Sequence, residues 1–216
     1  MADTKISALT AISAALGAQE FPVNDAGTTK KITLAQINAY CEPLYNASVA
    51  NQGAGFASDT YLTGSSIAIP SGRLQAKTMY ECVFNVTKTA AGTAAPAINI
   101  RFGTAGTTAD ASVCAMTHSA QSAVTDEGLF VVRAIFRTVG SGTSAVIQGV
   151  SMLEHEKGYG NTASTGLSVV SADHVATTGG GFNSTVASSI IGLSVNGGAS
   201  ASWTVNLVQA KLMNLL

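Results

Sequence analysis

Residues 77–88 read KTMYECVFNVTK, and this stretch decides the fold. Tyr80, Cys82, Phe84 and Val86 fall on one side of an extended chain, while Glu81, Asn85 and Thr87 fall on the other. Successive side chains of a strand point to opposite faces, so strict alternation of this kind predicts a half-buried antiparallel strand. The same period recurs outward in both directions. In 97–103 it groups Ile98, Ile100 and Phe102 against Asn99 and Arg101. In 128–139 it groups Phe130, Val132, Ala134 and Phe136 against Arg133 and Arg137. Further strands are predicted over 60–69, 111–118, 143–154, 166–175, 188–196 and 202–214. In the last of these Trp203, Val205 and Leu207 share a face, whereas Ala210 and Leu212 run one residue out of phase, which predicts a bulge near Val208–Gln209.

Turn residues separate the runs: Ala91–Gly92, Ala105–Gly106, Gly140–Ser141–Gly142, Gly179–Gly180–Gly181 and Gly197–Gly198. With about eight strands, short turns and no helical period between them, the body reads as all-β. The expected architecture is a jelly-roll-like antiparallel β-sandwich, preceded by an extended N-terminal arm with a short hairpin. The domain reading is a docking arm over 1–46, a Gly-rich linker over 47–59 and a sandwich domain over 60–216.

Composition narrows the function. Charged residues make up only 11% of the 216 residues, against about a quarter in an average soluble domain. Hydrophobic residues reach 46%, but no run of about 18 apolar residues marks a membrane span. A sparsely charged surface keeps a lone monomer poorly soluble, so much of it is expected to be hidden in an assembly. The net charge of −1 gives no basic stripe for nucleic acid. The three cysteines, Cys41, Cys82 and Cys114, are odd in number and widely spaced, and read as buried thiols. Lys5 followed by ISALTAISAALGA has a faint leader character, but Ser7, Thr10 and Ser13 break the apolar stretch and secretion is not expected.

No chemistry stands out. The three histidines, His118, His155 and His174, lack metal-ligand spacing. In Glu154-His155-Glu156-Lys157 the two glutamates share a strand face and the histidine takes the other, so they do not close on one ion locally. Asp173–His174 has no Gly-x-Ser-x-Gly elbow to complete a triad. The twelve Asp and Glu are scattered, with no evident glycosidase pair. The only tryptophan, Trp203, reads as core rather than as a sugar platform. No catalytic residue, metal site or cofactor is expected, and the chain does not read as an enzyme.

The first 37 residues carry a different message. Phe21-Pro22-Val23 runs into the turn Asn24-Asp25-Ala26-Gly27, and Lys31-Ile32-Thr33-Leu34 runs back out, which predicts a hairpin with Gly27 at positive φ. Thr33 is the expected N-cap of a short helical turn ended by Pro43. A segment this small cannot bury enough surface to fold alone. Its apolar residues Ile6, Leu9, Ile12, Leu16, Phe21, Val23, Ile32, Leu34 and Ile37 are therefore the candidate docking set.

Lys5-Ile6-Ser7-Ala8-Leu9, a small-residue spacer, the Phe-Pro-Val step and Gly27-Thr28-Thr29-Lys30-Lys31-Ile32-Thr33-Leu34 resemble the opening of many tailed-bacteriophage virion proteins. The stretches TKTAAGTAAP, RFGTAGTTADA and SIIGLSVNGG are similar to β-sandwich domains of phage fibres and head-decoration proteins. The resemblance implies a structural protein of the virion, made in the host cytoplasm, with an N-terminal anchor. The leading expectation is a homotrimeric capsid decoration (cement) protein whose partner is the major capsid protein or a tail or baseplate protein. The alternative is a short tail fibre or spike component that binds a host surface glycan, with Tyr159 and Phe182 as loop contacts. Neither nucleic acid nor a membrane is an expected partner.

Overall fold

The computed structural model describes residues 20–25, 27–34, 36–37, 43–121, 123–155, 173–179, 181–197 and 202–215. Two compact units divide the chain, Met1–Glu42 and Pro43–Leu216. The docking candidates Ile6, Leu9, Ile12 and Leu16, together with Tyr159 and Cys41, lie outside the described residues.

The described residues of the first unit include an antiparallel hairpin, β1 (Glu20–Asp25) and β2 (Thr28–Thr33). Gly27 sits in its turn at φ 84°, a conformation that a side chain disfavours.

The second unit is all-β, as the alternation predicts. Its strands are β3 (Leu44–Ser48), β4 (Gln52–Gly55), β5 (Thr60–Tyr61), β6 (Ile67–Ala68), β7 (Met79–Lys88), β8 (Ala97–Gly103), β9 (Ala111–Thr117), β10 (Asp126–Thr138), β11 (Val146–His155), β12 (Asp173–Thr178), β13 (Ile190–Asn196) and β14 (Trp203–Met213). One sheet has seven strands in the order β12-β11-β10-β7-β14-β3, with β4 also on β14. The other has five, in the order β5-β13-β8-β9, with β6 also on β13. All pairings are antiparallel. The body is thus β-sandwich-like. The strand order itself shows a meander, β10-β11-β12, within the large sheet, and a hairpin, β8-β9, within the small one. The strand order establishes an all-antiparallel, sandwich-like arrangement; the jelly-roll topology is an expectation from strand number and fold analogy.

The segment 47–59, read as a linker, instead contributes the end of β3 and all of β4, both paired with β14. The compact unit accordingly begins at Pro43 rather than at Thr60. Short edge strands held by backbone bonds need no alternating apolar face, which is why composition hid them.

The core is built from the inward phase of the long strands. Tyr80, Cys82, Phe84 and Val86 of β7 are buried, as are Phe130, Val132, Ala134 and Phe136 of β10 and Ile98, Ile100 and Phe102 of β8. Phe84 and Phe130, directly opposite across the ladder, stack at 4.9 Å with an interplanar angle of 8°. Trp203 lies 5.5 Å from Phe130 and is buried. Phe102 of the small sheet meets Phe136 of the large one edge-on at 6.1 Å.

In β14 the bulge falls between Val205 and Leu207, earlier than expected. It leaves Leu207 exposed and turns Val208, Ala210 and Leu212 into the core. The phase change was legible in the sequence, but its position was not, because Val205, Leu207 and Val208 are all apolar.

Gly149 of β11 marks a close approach of the two layers. A β-carbon there would lie 2.8 Å from Cys114 Sγ, 3.1 Å from Ile100 Cδ1 and 3.2 Å from Met116 Sδ, all on β8 and β9. A larger residue fits only if the ends of these side chains shift. Gly149→Val is expected to cost about 1–3 kcal/mol in chemical denaturation. An unchanged midpoint would show that the layers yield at this point.

Candidate functional site

In the hairpin, antiparallel register puts directly opposed residues on one face. Phe21 opposes Ile32 and Val23 opposes Lys30, so Phe21, Val23 and Ile32 form an apolar face. Glu20 and Pro22 fall on the other face, opposite Thr33 and Lys31. There the Lys31 ammonium lies 2.7 Å from the Glu20 carboxylate. Phe21 and Val23 are exposed, whereas Ile32, Leu34 and Ile37 are half-buried. The strand ends in a capping box: Gln36 N–H donates to Thr33 Oγ1 at 3.1 Å, and Thr33 N–H donates to Gln36 Oε1 at 2.8 Å. Leu34, Gln36 and Ile37 are helical beyond it, so Thr33 caps as its residue type and spacing predict. The hairpin therefore presents an apolar face on a small, locally braced frame.

On the outward face of the large sheet, register brings three charges into one row. Glu81 of β7 stands opposite Arg133 of β10 and Lys211 of β14. Its Oε2 accepts from Arg133 Nε at 2.5 Å, and its Oε1 lies 2.6 Å from Lys211 Nζ. Burial pushes the Glu81 carboxyl up, but hydrogen bonds from Lys211 and Arg133 and their positive charge outweigh it, so its pKa is lowered. The sequence placed Glu81 and Arg133 outward but could not pair them, because pairing requires the register.

A second cation organises a loop. Arg101 of β8 pairs with Asp59, donates from Nε to Ser194 Oγ at 2.8 Å and donates from Nη1 to the Asp110 carbonyl at 2.7 Å. The Asp110 carboxylate in turn accepts from the N–H groups of Ala105 and Gly106 at 3.0 and 2.7 Å. These bonds satisfy the backbone of the turn 104–110; their role is architectural.

The remaining polar groups are closed off. Lys88 is wholly buried and its Nζ donates to the carbonyls of Thr89 and Val124, both at 2.9 Å. Burial lowers its pKa and the nearby Asp126 charge partly offsets this. His118 Nε2 and Ser151 Oγ share a 2.8 Å hydrogen bond, yet both side chains are buried and the imidazole packs edge-on to Phe130. Cys82 and Cys114 are buried thiols outside any disulfide, and burial pushes Cys82 to about 12. Among the described residues no group of three His, Cys, Asp or Glu could hold a metal ion. No helix among them is long and apolar enough to cross a membrane.

Phe182, nominated as a loop contact, forms a bridge with Ala145 and packs 5.1 Å from Phe102 and 6.1 Å from Phe136. It plugs the edge of the core rather than standing free. The Gly-rich stretch around it concealed this, because the bridging partner lies far away in sequence.

Comparison with known proteins finds no matching family, no matching curated protein and no matching solved structure.

The Glu81 row carries a pH signature. Its folded pKa lies below the ordinary carboxylate value, so the stability it contributes is present above the unfolded value and is lost as pH falls through the folded one. Between about pH 5 and pH 3 the wild type is expected to lose more stability than Glu81→Gln, measured by urea unfolding. Parallel losses would show that the row carries no net linkage.

Proposed function

We propose that this chain is a structural protein of a tailed-bacteriophage particle, attached through its N-terminal arm and most simply a capsid decoration (cement) protein. The observation that carries the proposal is the hairpin: Phe21, Val23 and Ile32 share one face, and the first two are exposed. An apolar face on so small a unit gains about 25 cal/mol per Å2 when a neighbour covers it. Several copies docking together would multiply a weak contact by avidity. The sparse charge of the chain, 11% of its residues, supports the same reading, since a weakly charged surface suits burial in an assembly. The resemblance of Lys5–Leu9 and Gly27–Leu34 to virion-protein openings names the kind of assembly. The protein would be a homo-oligomer made in the host cytoplasm, and its partner would be the major capsid protein or a tail or baseplate protein. No catalytic step is part of the proposal.

The test is attachment. Expressed with the particle genes, the wild-type chain is expected to co-purify with particles, and electron microscopy is expected to place it on the head. Phe21→Asp combined with Val23→Asp is expected to cut occupancy at least about tenfold while the melting temperature of the body stays within a few degrees. Full occupancy of the double variant, or absence of the wild type from particles, would overturn the proposal.

A further inference from the structure

We propose that the outward face of the seven-stranded sheet is a contact between two copies of this chain, packed face to face with their strands antiparallel. The inference rests on the proposed function only in assuming that the chain assembles. At this surface it replaces the three-fold number expected from the resemblance with a two-fold axis.

The face carries apolar side chains among its charges and the amides of Asn85, Gln148 and Gln209. Odd-numbered positions of β10 point outward, so Leu129, Val131 and Ile135 line its centre, beside Val83 and Met79 of β7 and Val150 of β11. Ile135 is 45% exposed and Leu207 of β14 is 39% exposed. Strands about 4.8 Å apart and about 3.3 Å per residue give the four central strands a flat footprint of about 600 Å2 over ten residues. Side-chain relief raises the accessible area toward the about 800 Å2 per partner of a stable protein interface.

Charge selects the occupant. In the middle of the face Glu81 is matched to Arg133 and Lys211. At one end Arg137 has no ion-pair partner among the described residues, and with Arg133 it flanks Ile135 in a hollow that Met79 and Val150 also line. At the other end Glu154 stands opposite Leu129, and Glu127 lies two residues before Leu129 on the same strand. Glu127 accepts only a 3.2 Å bond from Thr87 Oγ1 at its carboxylate, and Glu154 has no ion-pair partner among the described residues. One end is therefore an apolar hollow between two arginines, and the other an apolar side chain between two glutamates.

Such a surface is complementary to itself only when reversed. A two-fold axis lying between the sheets, perpendicular to β10 at Val132, carries position 129 over 135 and position 127 over 137. Leu129 of each copy then enters the arginine-flanked hollow of the other, and Leu207 comes over Met213. Facing sheets cross at about 30°, which moves the ends sideways by one or two strands. The acidic end is itself two strands wide, with Glu127 on β10 and Glu154 on β11. An axis parallel to the strands would instead put arginine on arginine and glutamate on glutamate. A closed two-fold contact of this kind pairs each end with its opposite twice.

The experiment is a mass measurement by light scattering on the full chain, across a dilution series, with melting temperature as the control for folding. The wild type is expected at twice the chain mass. Arg137→Glu is expected to weaken the pair at least about tenfold, since two symmetric attractions become repulsions. Adding Glu127→Arg and Glu154→Arg to Arg137→Glu is expected to restore it, because the polarity is inverted throughout and the match returns. Ile135→Gln removes the apolar centre without touching these charges and is expected to dissociate the pair independently. A single-chain or three-chain mass for the wild type overturns the inference, as does a two-chain mass indifferent to Arg137→Glu and Ile135→Gln, or a charge reversal that fails to rescue. The hairpin variants are expected to keep the two-chain mass, so loss of particle attachment and loss of pairing read out separately.

Discussion

The stack of Phe84 on Phe130 is the contact on which the rest of the structure depends. It joins β7 to β10 at directly opposed positions, with Leu153 of β11 beyond Phe130 and Val208 of β14 beyond Phe84. Once this row is buried, a strand period of two leaves no freedom for its neighbours: even positions of β7 and β10 must face the small sheet and odd positions must face away. A slip of one residue in both strands would turn Glu81 and Arg133 toward the core and expose Phe84, Phe130 and Phe136. The register that builds the core is therefore the same register that aligns Glu81 with Arg133 and Lys211 on the outside.

The outward row in turn solves a problem that the core creates. A wide sheet needs something on its second face, and a face made only of valine, leucine and methionine would adhere to any apolar partner. Glu81 held by two cations makes the middle of that face polar without giving it a large net charge. The unmatched charges are left to the two ends, where they can distinguish one orientation of a partner from another. Gly149 contributes from the other side, by letting β11 approach Cys114 and Met116 closely.

Much of this was legible in the sequence, for a physical reason. β7, β8 and β10 alternate cleanly, and alternation is a direct consequence of strand geometry. The hairpin was legible from Gly27 and from the apolar residues spaced around it, and the cap from Thr33. What stayed hidden depends on partners distant in sequence. β3 and β4 carry little pattern because β14 supplies their bonds. Phe182 resembled a loop aromatic because nothing near it in sequence announces Phe102 or Phe136. The bulge in β14 could be inferred but not placed, since the ladder to β7 decides which of several apolar residues is skipped.

The position of β14 has a consequence for how the molecule is made. Residues 203–213 lie in the interior of the large sheet, between β7 on one side and β3 and β4 on the other, although they come after every other described strand in chain order. A ribosome that has released β3 to β13 has therefore produced β12-β11-β10-β7 with a raw backbone edge at β7, and β3 and β4 without the strand that pairs them. Such edges invite pairing with another nascent chain until the missing strand arrives. Closure of the body thus waits for the strand that follows all its partners in chain order, and a chain stopped short of residue 203 would leave β3 and β4 unpaired as well.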